Sequence, residues 1–201
     1  ETNTIGALLG NRNIIKSFYA AILGLIFVGL FMIVNYRILG FISVVSLLIY
    51  GLFNLALYSL IPVTITLPGI AGLILSLGMA VDANILIFER IRDELKNGNT
   101  LIRSIDNGFL RANSSIIDGH ITTLISCFIL FIVGTNFVKG FAATLGIGVI
   151  ISLFTSLNCS KTFLRFLTSY QSMRQIKLYL INDKNIINKN LSNKKLWALN
   201  L

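Results

Sequence analysis

The sequence predicts an all-α membrane protein, a polytopic bundle of five transmembrane helices. Of its 201 residues, 55% are hydrophobic and only 12% are charged, and the mean hydropathy is +0.80, values far from those of a soluble domain. The apolar residues form runs long enough to cross the hydrocarbon core, which takes about 20 residues of helix. Basic residues collect on one side of these runs, which predicts an orientation.

The first predicted span, Ser17 to Tyr36, lies between Lys16 and Arg37. The chain then carries no charge until Asp82, a stretch too long for one crossing. We therefore expect it to turn once before Asp82.

This turn is predicted around Pro62 and Pro68, with Thr64 and Thr66 between them. Proline removes a backbone donor and pushes the residue before it towards extended geometry. Spans two and three are therefore predicted at 39–60 and 67–88.

The polar stretch that follows is predicted to continue the third helix into water. Arg90 and Glu94 have the i,i+4 spacing of an ion pair, Glu89 and Arg92 have the i,i+3 spacing, and Gly98 is a typical helix stop. We interpret this charged run as a solvated helix face rather than a binding site. Two further spans are predicted at 119–133 and 141–159, with a short turn at 134–139 between them.

The basic residues divide unequally between the two sides of this bundle. Fourteen of the 17 Lys and Arg residues fall at Arg37, in the polar loop or after the last span, whereas Arg12, Lys16 and Lys139 fall on the other side. The positive-inside rule then places the loop and the tail in the cytoplasm. This topology signal, together with contact with anionic membrane lipids, explains the net charge of +9 better than nucleic-acid binding does.

The domain organisation follows from this topology. We expect an extracytoplasmic lead-in at 1–16, a transmembrane domain at 17–160 with a cytoplasmic loop at 89–117, and a basic cytoplasmic tail at 161–201. Because the chain begins with Glu1 rather than Met, we also expect it to be a fragment, a processed product or the second half of a split protein.

Small residues recur every four positions along two of the spans. Such residues let helix backbones approach closely in lipid. We predict helix-packing seams, either static or sliding, at these positions and at Gly78: Gly72, Ser76 and Ala80 on the third span, and Gly140, Thr144, Gly148, Ser152, Ser156 and Ser160 on the last.

Asp82 is the most informative single residue, because it is the only charged residue between Arg37 and Glu89. A carboxylate at membrane depth is costly to hold and usually has a function. Burial favours the neutral acid and a neighbouring cation favours the ionised form, so Asp82 is a candidate to bind and release a proton. No Lys or Arg lies in the apolar part of any predicted span, so we expect such a cation on another chain.

A second polar group opens the fourth predicted span. Asp118 is followed by His120, Thr122 and Thr123, and an antiparallel fourth helix would place Asp118 at the same cytoplasmic end as Asp82. We interpret His120, the one histidine of the chain, as a satisfied polar residue at a helix end rather than a metal ligand or a proton relay.

The two cysteines, Cys127 and Cys159, lie in apolar runs and belong to no CxxC or Cys/His group. We interpret them as small buried hydrophobes. The sequence therefore predicts no metal site, no disulfide framework and no cofactor.

Three long motifs give a more specific indication: LPGIAGLILSLGMAVDANILIFERIRDEL from Leu67, SIDNGFLRANSSIIDGHITTLI from Ser104, and VKGFAATLGIGVIISLFTSL from Val138. In this order they closely resemble the SecD branch of the SecD/SecF family of protein-export membrane proteins, which is related to the resistance-nodulation-division transporters. The resemblance extends from about Gly6 to Phe166. The Asn-rich and Lys-rich style of the chain is similar to that of cyanobacterial or plastid relatives.

The resemblance implies a subunit that works with SecF and uses the proton-motive force to help preproteins through the SecYEG channel after SecA has begun translocation. It implies a multi-pass protein of the bacterial inner membrane, or of a thylakoid or plastid membrane, that is not an enzyme. In the family a first span and a large extracytoplasmic domain precede these five spans.

The resemblance also assigns residues. Asp82 matches the family's proton-pathway aspartate, and Asp118, Thr122 and Thr123 match its motif on the facing helix. His120 stands where the family usually has Asn, so the role of that position stays open.

Other functions are compatible with parts of this pattern. A proton-coupled exporter of the resistance-nodulation-division superfamily would carry similar proton machinery, and a passive translocon scaffold would not need Asp82. An intramembrane aspartyl protease would need two buried carboxylates, but its GxGD motif is absent, since three residues separate Gly78 from Asp82.

Overall fold

Residues 7–61, 66–169 and 179, which the computed structural model describes, are built from helices and their connecting turns. The helices are α1 (Ala7–Tyr36), α2 (Ile38–Leu60), α3 (Leu67–Lys96), α4 (Leu101–Val133), α5 (Asn136–Phe154) and α6 (Ser160–Ser169). A π-helical turn at Thr155–Cys159 joins α5 to α6 without a break.

Five segments of the described chain are long and apolar enough to cross a membrane: α1, α2, α3, α4, and α5 continued through α6. This confirms the predicted all-α bundle of five spans. Pro62 and Thr64, predicted to break the chain between spans two and three, lie outside the described residues. So do residues 1–6 of the lead-in and most of the tail.

The helices run further than the predicted spans. α3 ends at Lys96 and α4 begins at Leu101, so only residues 97–100 turn the chain, and most of the polar loop predicted at 89–117 is helical. The last span continues to Ser169, into the predicted tail. Hydropathy marks only the apolar part of a helix, whereas backbone hydrogen bonding continues into water.

The turn between α3 and α4 has the predicted glycine stop. Asn97 caps α3, and Gly98 follows with φ of 87°, in the left-handed region that favours glycine. At its other end α3 begins at Thr66, whose Oγ1 accepts the backbone N–H of Gly69 at 3.2 Å. Pro68 lies in this first turn, where its missing N–H breaks no helical hydrogen bond.

The helix α3 is the centre of the bundle. Its most extensive contacts are with α5, followed by those with α4, while α1 and α2 pack together as a hairpin beside this group. Large apolar side chains of α1 and of the C-terminal half of α4 are exposed, as expected for surfaces that face lipid.

The contact between α3 and α5 depends on small residues. A Cβ atom added to Gly72 would lie 2.6 Å from Oγ1 of Thr144 and 2.9 Å from the backbone oxygen of Phe141. A Cβ atom on Gly148 would collide with the hydroxyl of Ser76. The two backbones therefore approach as closely as the predicted seams require.

Gly78 was also predicted as a packing residue, and within this chain this is wrong. It is exposed, and nothing lies within 4 Å of the position of its Cβ atom. Two residues along a helix turn the side-chain direction by about 200°, so Gly78 faces away from the seam formed by Ser76 and Ala80.

The ion pairs at the end of α3 near the turn to α4 are partly as predicted. Glu89 and Arg92 pair at 2.9 Å, which confirms the i,i+3 spacing. The hydroxyl of Tyr36 donates to the same Glu89 carboxylate at 2.9 Å and ties the end of α1 to α3.

The predicted pair between Arg90 and Glu94 is wrong. The Glu94 residue is only 3% exposed, and its carboxylate pairs with Arg111 of α4 at 2.7 Å. It also accepts hydrogen bonds from the side-chain amides of Asn99, at 2.6 Å, and Asn107, at 3.2 Å. Arg90 is exposed, whereas the buried Glu94 carboxylate takes a partner from α4 in place of this local one.

We predict that Gly98→Cys reacts with a membrane-impermeant maleimide only when the cytoplasmic side is open. Thr135→Cys, in the turn between α4 and α5, should react from the opposite side, because α4 crosses the membrane between them. Labelling of intact cells and of inverted vesicles, in a background with Cys127 and Cys159 replaced by Ala, measures both. Labelling of Gly98→Cys in intact cells would overturn the orientation.

We predict that Gly72→Ala destabilises the bundle by about 1–3 kcal/mol, because the added methyl overpacks the contact between α3 and α5. Gly78→Ala is the matched control on the same helix, and it should be neutral or stabilising by up to about 1 kcal/mol, since alanine favours helix. Unfolding by SDS in mixed micelles gives both free energies. Equal effects would show that the close approach does not stabilise the fold.

Candidate functional site

Asp82 lies on the exposed face of α3, with the buried residues Val81 and Ala83 on either side of it. We expected a buried carboxyl group, and within this chain that is wrong. None of the described residues forms a hydrogen bond or an ion pair with it. The helix begins at Leu67, so Asp82 is about 22 Å along it, well within the span.

The Asp82 side chain lines an open groove of about 210 Å³ between α3 and α4. Four residues of each helix form its walls: Met79, Asp82, Ala83 and Leu86 of α3, and Ser115, Ile116, Gly119 and His120 of α4.

Glycine creates part of this space. Gly119, in the groove wall, has nothing within 4 Å of the position of its Cβ atom, and the same is true of Gly78, one turn before Asp82. These two glycines leave room beside the carboxyl group instead of bringing helices together.

The other predicted proton-pathway residues lie beside the groove rather than in it. Asp118 is exposed, with the Ser114 hydroxyl 3.5 Å from its carboxylate. The hydroxyls of Thr122 and Thr123 both donate to the backbone oxygen of Gly119, at 2.8 and 2.9 Å. The Thr123 hydroxyl also lies 4.0 Å from the sulfur of Met79, a residue of the groove wall.

His120 was predicted at a helix end, and this is wrong. Because α4 begins at Leu101, His120 is in the middle of the helix, and it is 7% exposed. Its Nδ1 lies 2.8 Å from the backbone oxygen of Ile116, and its Nε2 lies 2.9 Å from the hydroxyl of Ser152 on α5. As predicted, both of its polar atoms are satisfied.

A buried polar cluster lies on the opposite side of α3, and it was not predicted from the sequence. Asn84 accepts a hydrogen bond from Ser160 at 2.7 Å, and the Ser160 hydroxyl lies 3.0 Å from that of Ser46 on α2. Ser46 in turn donates to the backbone oxygen of Thr155, at the start of the π-helical turn, at 3.3 Å. An amide two residues after Asp82, within an apolar span, was the available signal.

No metal site is formed within the described ranges, where no three His, Cys, Asp or Glu side chains lie together. The groove presents one carboxyl group, that of Asp82, among the residues that line it.

Residues 1–170 match the family described as protein export membrane protein SecD/SecF, C-terminal. The chain belongs to the SecD/SecF family. The chain is 61% identical over 184 residues to the protein translocase subunit SecD of Prochlorococcus marinus, which covers 92% of this chain and 37% of that protein. It is 57% identical over 164 residues to the SecD subunit of a Synechocystis species, which covers 82% of this chain and 35% of that protein.

Solved structures agree with this membership of the SecD/SecF family. The crystal structure of SecDF, a translocon-associated membrane protein from Thermus thermophilus, superimposes with a TM-score of 0.77 at 38% identity. The match covers 80% of this chain and 22% of that one. The present SecD/SecF chain thus spans little more than a third of the curated relatives that it matches.

Proposed function

We propose that this chain is the membrane portion of a SecD-type subunit that works with SecF. It uses the proton-motive force to help preproteins cross the membrane through SecYEG after SecA has acted. It carries no catalytic residue of its own, and it resides in the bacterial inner membrane or a thylakoid membrane. Family membership and the position of Asp82 support this proposal.

The observation that carries the proposal is an ionisable side chain exposed on a membrane-spanning surface. A carboxyl group left against lipid is costly whether it is neutral or charged. The exposure of Asp82 is therefore energetically acceptable only if another protein covers the groove or a water-filled path reaches it. A SecF subunit that packs over α3 and α4 would provide both.

The residues beside the groove extend the proposed path. Asp118 and Thr122 are exposed on α4, and Thr123 contacts the groove wall through Met79. We assign them to a proton path that runs along the interface with SecF. One proton moving through a potential of 100 mV provides about 2.3 kcal/mol, enough to shift a two-state equilibrium nearly fiftyfold.

A resistance-nodulation-division exporter would use the same proton chemistry, but membership of the export family favours protein translocation. A passive translocon scaffold is the remaining alternative. It differs in one respect that can be measured, since a scaffold does not need Asp82 to titrate.

We predict that Asp82→Asn, made in the full-length protein, abolishes the part of preprotein export that depends on the proton-motive force. Asparagine keeps the shape of the side chain but cannot exchange a proton. Export of a reporter preprotein, measured with and without a protonophore, should fall to the uncoupled level and lose its response to the protonophore.

Asp106→Asn is the matched control for this measurement. Asp106 is a cytoplasmic carboxylate that pairs with Arg165 at 2.6 Å outside the groove, and its loss should leave proton-dependent export unchanged. An Asp82→Asn protein that is expressed normally and exports with the parent's protonophore sensitivity would leave only the scaffold.

We predict that a photoreactive amino acid at Gly78 cross-links to the SecF-type subunit, because Gly78 borders the surface that we expect SecF to cover. The same probe at Leu23, an exposed apolar residue of α1, should cross-link to lipid only. Irradiation of membranes followed by mass spectrometry of the adducts decides this. A partner adduct at Leu23 with none at Gly78 would place SecF on another face.

A further inference from the structure

We propose that one face of α2 binds ordered water inside the bundle, and that the side chain of Asn54 holds one of these water molecules. The face is formed by a row of five polar residues, the α2 polar row: Ser43, Ser46, Tyr50, Asn54 and Tyr58. It packs inside the bundle, away from the surface that the proposed function assigns to proton coupling. The inference therefore stands or falls independently of that function.

The spacing of this row places its members on a single side of the helix. They follow one another at three or four residues, which is about one turn of α-helix. The first four members are at most 2% exposed. From residue 43 to residue 58 the helix rises about 22 Å, so the row extends through most of a hydrocarbon core about 30 Å thick. Polar groups at this depth are costly unless each has a hydrogen-bond partner.

Several members of the row have partners on the neighbouring helices. The Tyr50 hydroxyl lies 2.6 Å from that of Ser76 on α3. The Tyr58 hydroxyl donates to the backbone oxygen of Thr144 on α5 at 3.2 Å. The row therefore faces the seam between α3 and α5 rather than the lipid.

Two polar atoms of the row have no partner among the described residues: Oγ of Ser43 and Oδ1 of Asn54. The orientation of the Asn54 amide is fixed, because its Nδ2 donates to the backbone oxygen of Tyr50 at 2.9 Å. The reverse orientation would place two oxygen atoms against each other. Oδ1 thus requires a group that donates a hydrogen bond, since a buried carbonyl oxygen without a donor costs the free energy of its lost hydration.

The surroundings of Asn54 admit only a small, neutral donor. Asn54 is 2% exposed, which excludes a side chain from another subunit, and lipid tails carry no donor group. A cation would require a balancing acid, and the row has no charged member. These conditions leave water as the ligand.

Space for a water molecule is available beside the amide. Gly51, one turn before Asn54, has nothing within 4 Å of the position of its Cβ atom. Helical side chains point back towards the preceding turn, and the bond from Asn54 to the backbone of Tyr50 shows this direction. The amide therefore lies beside the space that the glycine leaves.

The spacing of the row also suits bridging water molecules. Successive members are about 4.5–6 Å apart along the helix axis. One water molecule that makes two hydrogen bonds of about 2.8 Å bridges groups up to about 5.6 Å apart. A water molecule at Asn54 can then bond also to the hydroxyl of Tyr50 or Tyr58, and a second one at Ser43 can reach that of Ser46. Both unpartnered atoms gain partners in this way.

The test is X-ray hydroxyl-radical footprinting of the full-length protein in its complex, reconstituted in lipid nanodiscs and analysed by mass spectrometry. Irradiation converts bound water into radicals that label the nearest aromatic ring, even where bulk solvent does not reach it. Tyr50 and Phe88 are equally buried, at 1% and 0% exposed, but only Tyr50 belongs to the row. We expect Tyr50 to be labelled about tenfold faster than Phe88, because it has ordered water beside it.

Asn54→Leu keeps the approximate volume of the side chain but removes the oxygen that binds water, so labelling of Tyr50 should fall to the Phe88 rate. Asn35→Leu is the matched control. The Asn35 amide makes the same bond to the backbone oxygen four residues before it, at 2.9 Å, but on an exposed surface of α1. Its replacement should leave the labelling of Tyr50 unchanged.

Labelling of Tyr50 in the parent protein at the Phe88 rate would overturn the proposal, whether or not the variants fold. Fast labelling that persists in Asn54→Leu would overturn the water site at Asn54. Neither result bears on the export assay, because no member of the row belongs to the proposed proton path.

Discussion

The close approach of α3 and α5 is the constraint on which the rest of the bundle depends. Gly72 and Gly148 let the two backbones meet with little between them except the hydroxyls of Thr144 and Ser76. Ser76 is also bonded to Tyr50 of α2 at 2.6 Å, so three helices are joined at this point. In lipid there is no hydrophobic force to bring helices together, and association depends on such packing and on hydrogen bonds. Once the rotation of α3 about its axis is fixed there, the direction of every other α3 side chain is fixed too.

This rotation separates two kinds of polar chemistry on one helix. Asp82 and Asn84 are two residues apart and point in directions that differ by about 200°. Asp82 therefore opens on the groove beside α4, whereas Asn84 enters the buried cluster with Ser46, Ser160 and the π-helical turn. A carboxyl group faces the accessible side, and uncharged groups that can exchange hydrogen bonds fill the inaccessible side.

The spans and the main helix contact could be predicted from the sequence, but the surroundings of individual charged residues could not. Five spans followed from hydropathy, and the contacts of Gly72 and Gly148 followed from their spacing. Gly78 was misassigned, although its position out of phase with Ser76 and Ala80 was visible in the sequence. The exposure of Asp82 was not visible in the sequence, because the helix face that stays exposed depends on packing partners far away in the chain. The predicted ion pair of Glu94 was wrong for the same reason, because its partner Arg111 lies on another helix.

His120 shows why a polar residue within a helix needs the tertiary structure before it can be interpreted. Hydropathy places the start of the fourth span beside it, yet the helix begins at Leu101, so its backbone neighbour is the carbonyl of Ile116 and its lateral neighbour is Ser152. The sequence predicted Ser152 as a packing residue, and the structure adds a hydrogen bond to that role.

A change of charge in the groove can affect the hydrogen bonds of the rest of the bundle without disrupting its fold. Near the groove, the Ser152 hydroxyl can reverse between donor and acceptor. On the far side of α3, the Ser160 hydroxyl donates to Asn84 and the Ser46 hydroxyl donates to the carbonyl of Thr155, the first residue of the π-helical turn. Such π-helical turns are rare and occur often at functional sites. Each of these hydroxyls is hydrogen-bonded within the described part of the chain, so polar groups that can exchange partners lie on both sides of α3.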